Sequence, residues 1–146
     1  MSLQKGNMAD YYTNFSLVVN LPDQAAQQYA LELANKASQV HLGEEAPKDF
    51  PAPLLEVVED WNFEIEADSP AEEHGIRLHS QCGGIDAVCA FIQHLLQKFN
   101  PEARVEFEWS NDCSKPRVDA YGGGAAIITA QEIQTMSTGQ WLQQKA

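Results

Sequence analysis

The 146-residue chain carries 21 acidic and nine basic residues, a formal net charge of −12, and 44% of its side chains are hydrophobic. That balance specifies one folded domain with a core of its own and argues against disorder or low complexity. It also argues against nonspecific nucleic-acid binding, which needs Lys and Arg to displace counterions from phosphates, and no apolar run approaches the ~20 residues of a membrane-spanning helix.

Residues 1–10, MSLQKGNMAD, are read as a flexible or added lead with Met8 as an alternative start, which leaves 11–146 as a single α+β domain. Residues 14–20, NFSLVVN, are rich in β-branched and aromatic side chains and read as a buried first strand. Pro22 and Asp23 then suit the first turn of a helix in which Ala26, Tyr29, Ala30, Leu33, Ala37 and Val40 recur at three- and four-residue steps, and Gly43 ends it. The proline-rich stretch EEAPKDFPAP is a connector, after which Leu54, Val57, Val58 and Trp61 trace one face of a short helix.

FEIEAD, 63–68, alternates as a half-exposed strand, with Phe63, Ile65 and Ala67 opposite Glu64, Glu66 and Asp68. A hairpin returns through Ile76 to Ser80, which would set Arg77 and His79 beside the outer acids of the preceding strand. The strongest helical signal spans 85–99, where Ile85, Val88, Cys89, Ile92, Leu95, Leu96 and Phe99 form one stripe between Gly83-Gly84 and Asn100-Pro101. RVEFEW, 104–109, alternates again. AAIITA, 125–130, and EIQTMST are expected to pair before a short closing helix around Trp141 and Leu142. This order predicts a ferredoxin-like βαββαβ arrangement, one antiparallel sheet with two long helices packed on one face, extended by a C-terminal β-hairpin.

The candidate chemistry gathers in WSNDCSKPRVDAYGGG, 109–124. As an extended segment, Lys115, Arg117, Asp119 and Tyr121 would project to one side. The backbone N–H groups of Gly122, Gly123 and Gly124 would approach a small carboxylate or phosphate closely. The competing reading is structural: Arg117 pairs with Asp112 or Asp119, and the glycines let the chain bend or pass under Trp109. Neither a phosphate loop nor a dinucleotide fingerprint is present, because the basic residues precede the glycines and a strand follows them. Cys113 has basic neighbours that favour a thiolate but no base at a telling spacing.

His79, Cys82 and Cys113 lack the paired short spacing of a structural zinc site. Glu64, Glu66, Glu106 and Glu108 read as solubilising residues of an exposed strand face. Cys89 belongs to the core, and His94 faces away from the apolar stripe. No metal, cofactor or catalytic set is expected. The three cysteines contain no CxxC pair, which together with the lack of a leader-like start points to a reducing, cytoplasmic compartment.

Trp109, then Cys113-Ser114-Lys115-Pro116-Arg117, Asp119, Tyr121 and Gly122-Gly123-Gly124-Ala125, together with the later Met136-Ser137-Thr138 and Trp141-Leu142, resemble a signature of uncharacterised bacterial proteins of this size. In that signature W, three residues, CSKPR, one residue, D, one residue, F or Y, and GGGA follow in order, and the match spans about residues 105–142. The resemblance implies a group of relatives and no activity. It marks Trp109, Cys113, Lys115, Arg117, Asp119, Tyr121 and Gly122 to Gly124 as the candidate ligand site.

The expected function is that of a non-catalytic accessory or protein-binding domain, whose acidic middle third, Glu44 to Glu73, meets a basic protein partner. The alternative is a binder of, or an enzyme acting on, a small anionic metabolite at Lys115–Gly124. An acidic mimic of the DNA backbone is a third reading, from charge alone. An edge strand near the C-terminus could also pair with a second copy to give a homodimer.

Overall fold

In the computed structural model, which describes residues 10–70, 73–117 and 120–146, six strands form one sheet. The strands are β1 (Tyr11–Leu21), β2 (Glu64–Asp68), β3 (His74–Ser80), β4 (Arg104–Cys113), β5 (Gly122–Thr129) and β6 (Ile133–Ser137), in the order β2-β3-β1-β4-β5-β6 with antiparallel neighbours. The helices are α1 (Gln24–His41), α2 (Ala52–Leu55), α3 (Ile85–Phe99) and α4 (Thr138–Gln144). The first four strands have the order of a split βαβ sandwich, and β5 and β6 add the C-terminal hairpin to the β4 side. The reading of 1–10 as a lead falls on residues that, Asp10 apart, lie outside the described ones.

Alternation decides which side of the sheet the helices cover. Phe15, Val19 and Leu21 of β1, Ile76 and Leu78 of β3, Phe107 of β4 and Ala126 and Ile128 of β5 are buried in one cluster with residues of α1 and α3. Both long helices therefore lie on that side. α1 presents a stripe of small residues, Ala26, Ala30, Ala34 and Ala37, that lets it sit close to the strands, and the Asp23 carboxylate caps it by accepting from the Ala26 N–H at 2.8 Å. Its buried Gln27 donates to the Gly75 carbonyl at 2.7 Å and to Ser69 Oγ at 2.8 Å, fixing the helix to the β2–β3 hairpin.

α3 has the bounds its apolar period predicts, but it is buried over a wider face. Ala87 and Phe91 are fully buried beside the expected stripe, and Phe91 meets Trp61 edge-on with ring centroids 5.5 Å apart. The helix begins at Gly84, at φ +86°, without a side-chain cap of its own. Asp60, from the 3-10 turn Val58–Asp60, lies against this start: a Cβ on Gly84 would come within 3.1 Å of the Asp60 carbonyl oxygen, and burial there raises the pKa of the Asp60 carboxyl. The short helix expected over Leu54 to Trp61 is accordingly divided. α2 ends at Leu55 and the chain tightens into the 3-10 turn that brings Asp60 to the start of α3.

Two further expectations change. The segment 14–20 is not buried on both faces: Ser16, Val18 and Asn20 are exposed. β1 is paired over different lengths at its two edges, Phe15–Leu21 with β3 and Tyr11–Asn14 with β4. Finally, the glycine run lies inside β5, where Gly122, Gly123 and Gly124 pair with Asn111, Ser110 and Trp109 of a β4 longer than RVEFEW suggests.

Candidate functional site

The side of the sheet opposite the helices carries no covering element over β2, β3 and β1 among the described residues. Its side chains are the second set in each alternating strand: Glu64 and Glu66 of β2, Arg77 and His79 of β3, Asn14 and Ser16 of β1, and Glu106, Glu108 and Ser110 of β4. Cross-strand pairing works as the sequence suggests. His79 Nε2 lies 3.7 Å from Glu64 Oε2 and 3.6 Å from Glu66 Oε1, and Arg77 reaches Asp68 at 4.0 Å. A hollow of about 890 Å³ is lined by Asn14, Ser16, Asn62, Glu64, Glu66, Arg77, His79 and Cys82, among others. The outer acids of β2 thus adjoin a hollow, which the solubility reading of them does not anticipate.

A second hollow, of about 620 Å³, begins where the first ends, since Asn14 lines both. Gly122 to Gly124 and Ala125 contribute its β5 side, Trp109, Glu108 and Ser110 its β4 side, and Met136, Ser137, Thr138 and Trp141 its far rim. The glycines have a packing reason. A Cβ on Gly124 would run into the Trp109 indole and approach the Met136 carbonyl oxygen to 2.5 Å, and one on Gly123 would strike the Trp109 carbonyl. Gly122 adopts φ +142° and its Cβ would lie 2.9 Å from Thr138 Oγ1. The Gly123 N–H is used within the fold, donating to Thr138 Oγ1 at 3.2 Å.

The other residues marked in the sequence separate from this hollow. Cys113 ends β4, half-buried and paired in register with Tyr11. After it the chain bends: the Arg117 N–H donates to the Lys115 carbonyl at 2.8 Å and the Ala120 N–H to the Arg117 carbonyl at 3.2 Å. The extended geometry expected of KPRVDAY is therefore absent around Lys115–Arg117. Pro116 has no N–H to give a ladder, and the β1–β4 pairing ends with Ser114 donating to the Asp10 carbonyl. Lys115 and Arg117 each interact with a neighbouring group, and neither belongs to the described lining of the second hollow, whose charged member is Glu108. Tyr121 lines a smaller hollow of about 230 Å³ with Tyr11, Tyr12 and Ala120. Asp119 lies outside the described residues.

No family model, curated protein or solved structure matches this chain. Its chemistry is read from its own groups. Among the described residues no cluster of three or more His, Cys, Asp or Glu is arranged to hold a metal ion, and no helix is long and apolar enough to cross a membrane. Burial, with Asp86 adding to it, pushes the Cys89 thiol up to about 12, so this core cysteine is a protonated, inert group. His94 is not turned to solvent. Its Nε2 shares a 2.8 Å hydrogen bond with the Tyr29 hydroxyl between α3 and α1, and burial, then Lys98, lower its pKa.

Sequence reasoning missed Asn14, Ser16 and Asn62 as members of the open face. The signal was present in the alternation of Asn14, Ser16, Val18 and Asn20, masked by the apolar run Leu17-Val18-Val19.

Proposed function

We propose that this chain is a non-catalytic binding domain that uses the open face of its sheet to hold a basic segment of a protein partner. The observation that carries the reading is the face over β2, β3 and β1, uncovered by any helix among the described residues, where Glu64 and Glu66 border a hollow of about 890 Å³. Past Asn14, which lines both hollows, the face continues to Glu108 on the second. Arg77 and Arg104 are each paired with an acid, Asp68 and Glu106 respectively, so the net field over the face stays negative and favours an incoming cation. Among the described residues no nucleophile and base stand within hydrogen-bond reach of each other on this face, and a binding role needs neither.

The test is calorimetric titration with a short oligo-lysine peptide. Neutralising Glu64, Glu66 and Glu108 together to Gln should weaken binding several-fold. Neutralising exposed Glu44, Glu45 and Glu56 in the connector region removes the same charge and should have a much smaller effect. Affinity should also fall steeply as ionic strength rises from about 0.05 to 0.5 M. Equal losses for the two triple variants would reduce the effect to overall charge and remove the reading.

The second hollow supports a second reading, a small ligand bound against Trp141, Met136 and the glycine run, because its volume and mixed lining fall in the range of small-molecule sites. Stabilisation of the fold by members of a metabolite set, lost on Trp141→Ala, would favour it.

A further inference from the structure

The two edges of the sheet are built differently. At one edge β2, Glu64–Asp68, carries three acids in five residues, the device by which an edge strand refuses another strand. At the other edge β6, Ile133–Ser137, reads IQTMS, with no charge and no proline. The neutrality is not local: from Ala120 to Gln144 the only charged residue is Glu132, in a chain whose net charge is −12. Ile133 and Met136 are 38% and 44% exposed, and Trp141 and Leu142 of the adjoining α4 are 48% and 62% exposed. α4 has no buried residue, although a full capping box at Ser137 and Gln140 fixes its start.

The hairpin geometry says where the free backbone groups point. Thr129 donates to the Glu132 carbonyl at 2.9 Å, and the register then pairs Ile127 with Gln134 and Ala125 with Met136. Because antiparallel pairs alternate between exchanging and not exchanging hydrogen bonds, Gln134 and Met136 bond to β5, while Ile133 and Thr135 direct their N–H and C=O groups outward.

We propose that β6 pairs antiparallel with β6 of a second copy of this chain, about a two-fold axis through Thr135, to make one continuous twelve-stranded sheet. Thr135 would exchange both hydrogen bonds with the same residue of the other copy, and Ile133 would stand opposite Ser137. Charge selects the occupant. Two bodies of the same negative sign can approach only where each is neutral, and this edge lies in the least charged stretch of the sequence. An isologous contact also closes on itself, so one exposed edge is used up rather than passed on to a filament. The open faces of the two copies would then lie side by side.

Analytical ultracentrifugation of the full chain from about 1 to 100 µM tests this. The wild type should sediment as a dimer. Its association should tighten as salt rises and screens the repulsion between copies, the opposite sign to the binding of a basic peptide, so the two proposals fail separately. Thr135→Lys and Thr135→Glu each place like charges across the axis at an exposed position and should weaken self-association at least tenfold, with circular dichroism unchanged. An equimolar mixture of the two should regain the dimer. A wild type that stays monomeric throughout, a Thr135→Lys protein that dimerises as well as the wild type, or a mixture that regains nothing would overturn the proposal.

Discussion

Gly124 shows how one missing Cβ shapes the candidate site. The Trp109 indole lies over it on the helix side of the sheet, next to Phe107 with ring centroids 6.0 Å apart. An aromatic ring covering a strand glycine restores packing that the glycine alone cannot give. Gly124→Ala should therefore destabilise the fold by about 1–3 kcal/mol through overpacking. The companion variant Trp109→Ala should recover part of that loss in a double-mutant cycle read by chemical denaturation, and strictly additive losses would show that ring and glycine do not meet. His94 gives the residue scale its pH dependence. Its folded-state pKa lies below the ordinary 6.5, so below that pH the unfolded chain takes up a proton that the folded chain refuses. The stability that neutral His94 contributes is complete above pH 6.5 and is lost as pH falls toward the lowered value. His94→Gln should flatten the stability profile as pH falls below 6.5; an unchanged slope would contradict the buried, neutral imidazole.

At the scale of elements, α3 was legible in the sequence because its punctuation is local: Gly83-Gly84 before it and Asn100-Pro101 after it bracket a single apolar period. What was not legible was the approach of Asp60 to its first turn, which depends on the 3-10 turn that splits the expected helix. Burial raises the Asp60 carboxyl pKa, so the fold loses stability as pH rises above 3.8 through the raised value, and Asp60→Asn should remove that loss in chemical denaturation. An unchanged pH profile would contradict a carboxyl buried at that turn. β2 and β3 were equally readable, since clean alternation fixes register and hence the His79 contacts with Glu64 and Glu66. β1 was only half readable. Its Leu17-Val18-Val19 run hides the period of two, and no local signal marks how far it pairs with β3 at one edge and β4 at the other. Lys115 and Arg117 failed to join the glycines for a related reason: alternation holds only where a ladder holds it, and the chain bends at Pro116.

On the scale of the whole molecule, the placing of both long helices on one side of the sheet follows from patterning alone. The location of the hollows does not, because it needs the register of β1 against β3 and β4 and the small residues of β5. The molecule divides its surface by charge: acids along β2 and over the open face, and a neutral corner at β6 and α4. The most direct test of the open face as the binding surface is an NMR titration of the labelled full chain with a short oligo-lysine peptide at low salt. The account predicts that the perturbed amides fall on Ser16, Glu64 to Glu66, Arg77 to His79 and Glu106 to Ser110. Perturbations confined to the exposed surface of α1 or to the acidic connector at Glu44 and Glu45 would contradict it.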